Sequence, residues 1–214
     1  MNTLHQVHNL IILDESGSMS SIKPSIIEGF NEIVQTVKGV EKQYPDQAHF
    51  ITFVTFNGLG QKTLLYRQPV GELELLDENK YNPDASTPLL DAMGFGFIKL
   101  KKDLEKVPNY NVLVTILTDG EENASKEFSG IAIKKMIEEL SMQNWTFTYI
   151  GTDHDVESFA LSVSITNTMK YEKNPEDIKN MFIKEASARF MYSERIKNKK
   201  ETGKGFYEED KKKS

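Results

Sequence analysis

Apolar positions along the chain follow two periods that take turns. Residues 7–13 form a short, almost continuous apolar run, which predicts a strand. Ile22, Ile26, Phe30, Ile33, Val37 and Val40 then recur at helical spacing, and Pro24 is tolerable in a first turn. Residues 48–56 ("AHFITFVTF") return to strand character. Asn57-Gly58 predicts a tight turn into a strand over residues 62–66, which makes the pair an antiparallel hairpin. A loop over residues 73–86 follows, and Pro88 opens a helix striped by Leu90, Met93, Phe97, Leu100 and Leu104. Residues 111–117 ("NVLVTIL") are nearly all apolar, the mark of a central parallel strand covered on both faces. The remaining pattern predicts a helix over 125–142, a strand over 145–150, a short helix over 156–161 and a short strand over 168–171. A last amphipathic helix starts at Asn174-Pro175 and carries Ile178, Met181, Phe182 and Ala186.

Strands that alternate with helices, without repeat or interior linker, predict one doubly wound α/β domain over residues 1–195. Residues 196–214 are left as a basic tail, expected to be solvated and disordered. Within a length of 214 residues a full core can be buried. No cysteine occurs, which excludes disulfides and thiolate metal sites and points to a reducing compartment. The N-terminus lacks a basic n-region and no stretch is apolar for long enough to span a bilayer, so a cytoplasmic protein without membrane contact is expected. Net charge is −6, but residues 195–214 carry +4 and the rest −10. An acidic body is a poor platform for nucleic acid.

In doubly wound folds ligands sit beyond the carboxyl ends of the strands, where strand order reverses. Two strands here end in an acid. The first runs into "LIILDESGSMSS" and presents Asp14, Ser16 and Ser18 on alternate residues; the second, "NVLVTILTDGEEN", ends at Asp119. A third loop, "DASTPLLDAM", places Thr87 just before a helix and Asp91 one turn further on. Asp14, Ser16, Ser18, Thr87 and Asp119 offer only hard oxygen atoms, which suit Mg²⁺, with Mn²⁺ or Ca²⁺ as alternatives, and not zinc or copper. Two carboxylates and three neutral hydroxyls do not complete an octahedron if one acid acts through water. The ion then keeps a positive charge and an open position, which an external carboxylate would fill.

These segments resemble the three motifs of the von Willebrand factor A (VWA) domain and its metal-ion-dependent adhesion site. "DESGS" has the form Asp-x-Ser-x-Ser, Thr87 precedes a helix, Asp119 follows a central strand, and the order is the family's. The likeness extends from about Val7 to about Arg195 and includes "TYIGTDHD". It implies a Rossmann-like, mainly parallel six-stranded sheet with one short antiparallel edge strand and helices on both faces. It also implies a protein-binding module, not an enzyme, whose partner protein presents an Asp or Glu to the metal. The form without cysteine resembles bacterial cytosolic single-domain members, such as those associated with tellurite resistance, and a monomer is expected. In the family's integrin members the final helix slides as the metal loops rearrange, so the moving part here would be the helix from about Pro175.

Two other functions stand beside this one. A Mg²⁺-dependent phosphotransferase or phosphatase of the haloacid-dehalogenase type also has an acid at the end of its first strand. It needs a second Asp two residues on, where this chain has Ser16, and a hydroxyl cannot do that proton transfer near pH 7. A structural VWA module with a vestigial metal site is the other. Glu15 is expected to face solvent or stand behind the ligands, Glu121 and Glu122 to make an acidic rim, and Asp91 to orient a coordinated water or favour a helix N-terminus by its charge. Gly94 and Gly96 in "MGFGF" are read as close-packing positions rather than a nucleotide loop.

Overall fold

The computed structural model describes residues 4–152 and 155–208. Asp153 and His154, within "TYIGTDHD", and tail residues 209–214 lie outside the described residues. Six strands, β1 (His5–Asp14), β2 (Gln47–Asn57), β3 (Gly60–Pro69), β4 (Tyr110–Leu117), β5 (Trp145–Gly151) and β6 (Asn167–Lys170), form one sheet. Their order is β3-β2-β1-β4-β5-β6, and every pairing is parallel except β2 with β3. The helices are α1 (Lys23–Gln43), α2 (Leu89–Leu104), α3 (Gly130–Ser141), α4 (Val156–Ser162) and α5 (Pro175–Lys197). The architecture is the expected doubly wound α/β sheet with one antiparallel edge strand. That edge strand is longer than its apolar run, because backbone pairing with β2 does not require apolar side chains on an edge.

Period-two alternation within β1 divides the core. Leu10 and Ile12 join the cluster under α2, α3 and α4, while Ile11 and Leu13 join the cluster under α1 and α5. Both faces being covered explains why β1 and β4 read as nearly continuous apolar runs. Gly29 on α1 lets the two helices of one layer approach: a Cβ there would overlap the Phe182 ring of α5. Gly94 does the same for α2, since its Cβ would stand 2.5 Å from the Phe128 ring. Gly94 of "MGFGF" is therefore a close-packing position, as expected, while a Cβ at Gly96 would make only ordinary contacts at 3.5–3.7 Å.

Three expectations need correction. The helix expected from residue 125 starts at Gly130, capped by the Ser129 hydroxyl, which accepts from Ala132 N at 3.2 Å. Backbone N–H groups of Lys126, Glu127 and Phe128 are instead taken by the Asp91 carboxylate at 2.8–2.9 Å, which holds that segment as a loop. On α2, Leu89 is fully buried and Leu90 only partly, so the stripe begins one residue earlier than expected. The tail is not disordered over its described part: its charged side chains stay exposed, but the segment is anchored to the sheet. Thr202 O accepts the Thr146 hydroxyl, Asn167 bridges Gly203 O and Phe206 N, and the Phe206 ring is fully buried beside Tyr192. A basic composition suggested disorder, but two aromatic residues supply the buried area that orders the segment. No helix among the described residues is long and apolar enough to cross a membrane.

Candidate functional site

Strand order reverses between β1 and β4, whose neighbours on either side are reached by opposite crossovers. In their register Leu13 pairs with Leu117, so Asp14 leaves the sheet beside Thr118 and Asp119. Asp14, Ser16, Thr87 and Asp119 are all buried, and Ser18 is exposed above them. The Ser18 hydroxyl donates to Asp119 Oδ1 at 2.6 Å and lies 3.2 Å from the Ser16 hydroxyl. Thr87 closes the group through Gly120: a Cβ on that glycine would stand 3.6 Å from Thr87 Oγ1 and 3.8 Å from Ser18 Oγ. Gly120 thus lies beside both hydroxyls. All five sequence-predicted residues meet at the carboxyl end of the sheet, drawn from three separate loops.

Asp14 is held from every side. Its Oδ1 accepts from Ser16 N at 2.7 Å, its Oδ2 accepts the Thr118 hydroxyl at 2.6 Å, and its carbonyl accepts the Tyr81 hydroxyl at 2.6 Å. Burial pushes its carboxyl up to about 6, against the pull of the Thr118 and Ser16 hydrogen bonds, and the nearby Asp119 adds to the rise. A carboxylate so placed gains from any cation that enters. Among the described residues no group of three or more His, Cys, Asp and Glu is placed to hold a metal ion. The present set has only two carboxylates and fills out with hydroxyls, a donor chemistry that fits a small hard divalent cation.

The surrounding loops are braced by residues whose roles the sequence did not reveal. Of the two places expected for Glu15 the structure shows the one behind the ligands: it is buried, accepts from Asn82 N at 2.6 Å and pairs with Lys62 at 3.2 Å. Its backbone carbonyl accepts from Asp84 N, and Gly17 N donates to Ala85 O, which fastens the first motif to the segment before Thr87. Ala85 adopts a left-handed φ of 61° in this junction. Glu122 turns inward instead of making a rim: Oε2 accepts from Leu90 N at the start of α2, and Oε1 accepts from Ala124 N and Ser125 N. Asn123 Oδ1 accepts from Thr87 N at 2.9 Å, tying the second motif to the third. Asp91 lies in the first turn of α2, the helix N-terminus expected for its charge, and its carboxylate also holds the loop over 126–128. Lys173, from the connection between β6 and α5, places its ammonium 2.8 Å from Asp119 Oδ2. Only Thr118, one residue before Asp119, carried a local signal, as a hydroxyl at the end of an apolar strand.

Solved structures share this fold. The fold is VWA-like. A VWA domain described as that of SpRpn10 matches with a TM-score of 0.52 at 11% identity, covering 86% of this chain and 95% of that one. The pilus adhesin SpaC from Lactobacillus rhamnosus GG, in an open conformation, matches with a TM-score of 0.60 at 11% identity over 89% of this chain. Proximal thread matrix protein 1 from the mussel byssus matches with a TM-score of 0.54 at 13% identity over 86% of this chain. This VWA-like chain spans 46% of the mussel protein and 31% of the adhesin. No protein-family model matches the sequence, and no curated protein matches it.

Proposed function

We propose that this VWA-like chain is a metal-dependent protein-binding module. A divalent cation, Mg²⁺ in a cell with Mn²⁺ or Ca²⁺ as substitutes, is held by Asp14, Ser16, Ser18, Thr87 and Asp119, and an Asp or Glu of a partner protein completes its coordination. The observation that carries this reading is the convergence of three loops' oxygen atoms on two buried carboxylates at the switch point of the sheet. When bound, the metal would supply a localised positive charge for the partner's carboxylate. The chain's own residues orient it: Ser16 N and Thr118 aim Asp14, Ser18 aims Asp119, and Asn123 sets Thr87. Beside the site is a depression of about 500 Å³ lined by Leu59, Ser86, Pro88, Phe95 and Lys126. Leu59 and Phe95 are exposed there, an apolar surface suited to side chains that flank the partner's acid.

The module acts without catalysis, as a cytoplasmic monomer of bacterial type, and does not engage nucleic acid or membrane. Ser16 spends its N–H on Asp14 and its hydroxyl faces Ser18, so no side chain there is poised as the acid and base of a phosphatase. An assay with a generic aryl phosphate should show no turnover. Titration calorimetry with MgCl₂ should give one site, abolished in Asp14→Ala; unchanged binding in that variant would sink the assignment. The Lys173–Asp119 pair favours a second reading, a structural VWA module in which the ammonium has replaced the metal for good. A chain that shows no Mg²⁺ binding would select it.

A further inference from the structure

Asp119 has both carboxylate oxygens engaged. Oδ1 accepts the Ser18 hydroxyl at 2.6 Å, and Oδ2 lies 2.8 Å from the Lys173 ammonium. The acid's side chain is fully buried, while Lys173 keeps 24% of its side chain exposed. Lys173 directly precedes Asn174, whose side chain caps α5 by accepting from Asp177 N at 2.9 Å. The ammonium is therefore delivered from a firmly placed helix start, on a flexible stem that reaches solvent at one side.

We propose that Lys173 is an internal competitor for the metal, a monovalent cation supplied by the chain that balances Asp119 and sets the affinity of the site for a divalent ion. This rests on the metal reading given above. Asp14 and Asp119 together bring two negative charges, and the ammonium cancels one of them. An incoming divalent cation meets a like charge already bound to the carboxylate it needs. In a buried site that repulsion is screened far less than in water, so the metal binds at the cost of the Lys173 contact. Lysine suits this role better than a fixed group, because its ammonium is a compact point charge on four rotatable carbons and can withdraw to solvent. An affinity lowered in this way lets occupancy follow the free concentration of the ion instead of saturating.

The test is titration calorimetry of MgCl₂ into the full chain and its Lys173→Met, Lys173→Glu and Lys173→Arg variants, each checked for folding by circular dichroism. Lys173→Met should bind Mg²⁺ about tenfold more tightly, Lys173→Glu more tightly still, and Lys173→Arg like the parent. This ordering by charge is one that a merely structural lysine would not give. Parent and Lys173→Met affinities that are equal, or reversed, would overturn the competitor while leaving the metal reading intact. No Mg²⁺ binding by the parent, the Met or the Glu variant would overturn both. If Lys173→Met fails to fold, the Glu and Arg variants make the same comparison, and equal affinities in those two overturn the proposal.

Discussion

Arg189 and Glu185 lie one turn apart on α5 and form an ion pair at 2.8 Å with side chains only 3% and 0% exposed. Neither charge is left to the other alone. Arg189 also donates to Asn9 Oδ1 of β1 at 2.8 Å and to the Thr115 hydroxyl of β4 at 2.7 Å, and Glu185 Oε2 accepts the Tyr207 hydroxyl at 2.9 Å. One buried network thus joins the last helix, two central strands and the tail. Burial and the adjacent Glu185 hold the Tyr207 phenol well above its ordinary range, so it keeps its proton and donates a hydrogen bond to Glu185 at any working pH.

Breaking this network from one side should be costly, because the partner charge stays buried. Arg189→Met alone should lose about 3–5 kcal/mol of unfolding free energy. The double variant Glu185→Leu, Arg189→Met should recover most of that loss, since it leaves no charge behind. Urea unfolding of the two variants beside the parent checks both statements.

The same network bears on the expectation that the final helix slides. A displacement of α5 along its axis would separate Arg189 from Asn9 and Thr115, and Glu185 from Tyr207, in one step. Amide hydrogen exchange over residues 181–193 should therefore be the same with and without Mg²⁺. Faster exchange there in the presence of metal would show that the helix is released after all.

The tail contributes to stability through Phe206, which is fully buried and meets the rings of Tyr192 and Tyr207 at centroid distances of 5.9 and 4.9 Å. Phe206→Ala should cost about 3–5 kcal/mol, the range for deleting a buried phenyl ring. Thermal unfolding of Phe206→Ala would show a melting point close to that of the parent if the segment were only loosely attached.

Acid should unfold the protein through two buried imidazoles. His8 and His49 are both pushed down to about 3, first by burial and then by nearby positive charge, that of Arg67 for His8 and of Arg189 for His49. Below about pH 6.5 the unfolded chain takes up protons that the folded chain refuses until about pH 3. Stability therefore falls with falling pH across that window, by about 1.4 kcal/mol per pH unit for each histidine. Asp14, raised to about 6, acts in the opposite sense between pH 6 and 4, because its folded form takes the proton first. His49 has no hydrogen-bond partner on either ring nitrogen among the described residues, so it is the histidine to replace. His49→Leu should be the less pH-sensitive protein by about 1.4 kcal/mol per unit, measured by urea unfolding from pH 7 to pH 4. Asp14 is common to both proteins and drops out of the difference.

What the sequence determined by itself was the alternation of strand and helix and the positions of five oxygen-bearing side chains. Both are local in origin. A strand covered on both faces is mostly apolar, so β1 and β4 announce themselves despite the buried Asn9 and Thr115, and the polar residues that end them mark where the sheet stops. Regular spacing made Asp14, Ser16 and Ser18 legible, and Thr87 and Asp119 were legible from their places beside a helix and a strand. Where long-range hydrogen bonds compete with local pattern, the pattern lost. Asp91 drew the backbone of residues 126–128 away from α3, and Phe206 and Tyr207 gave a charged tail a buried anchor. Only the tertiary structure placed Lys173 against Asp119 or set Glu122 on the first turn of α2. Those contacts join residues 54 and 32 positions apart. No period in a sequence records them, because they come from loops that meet only once the sheet has been assembled.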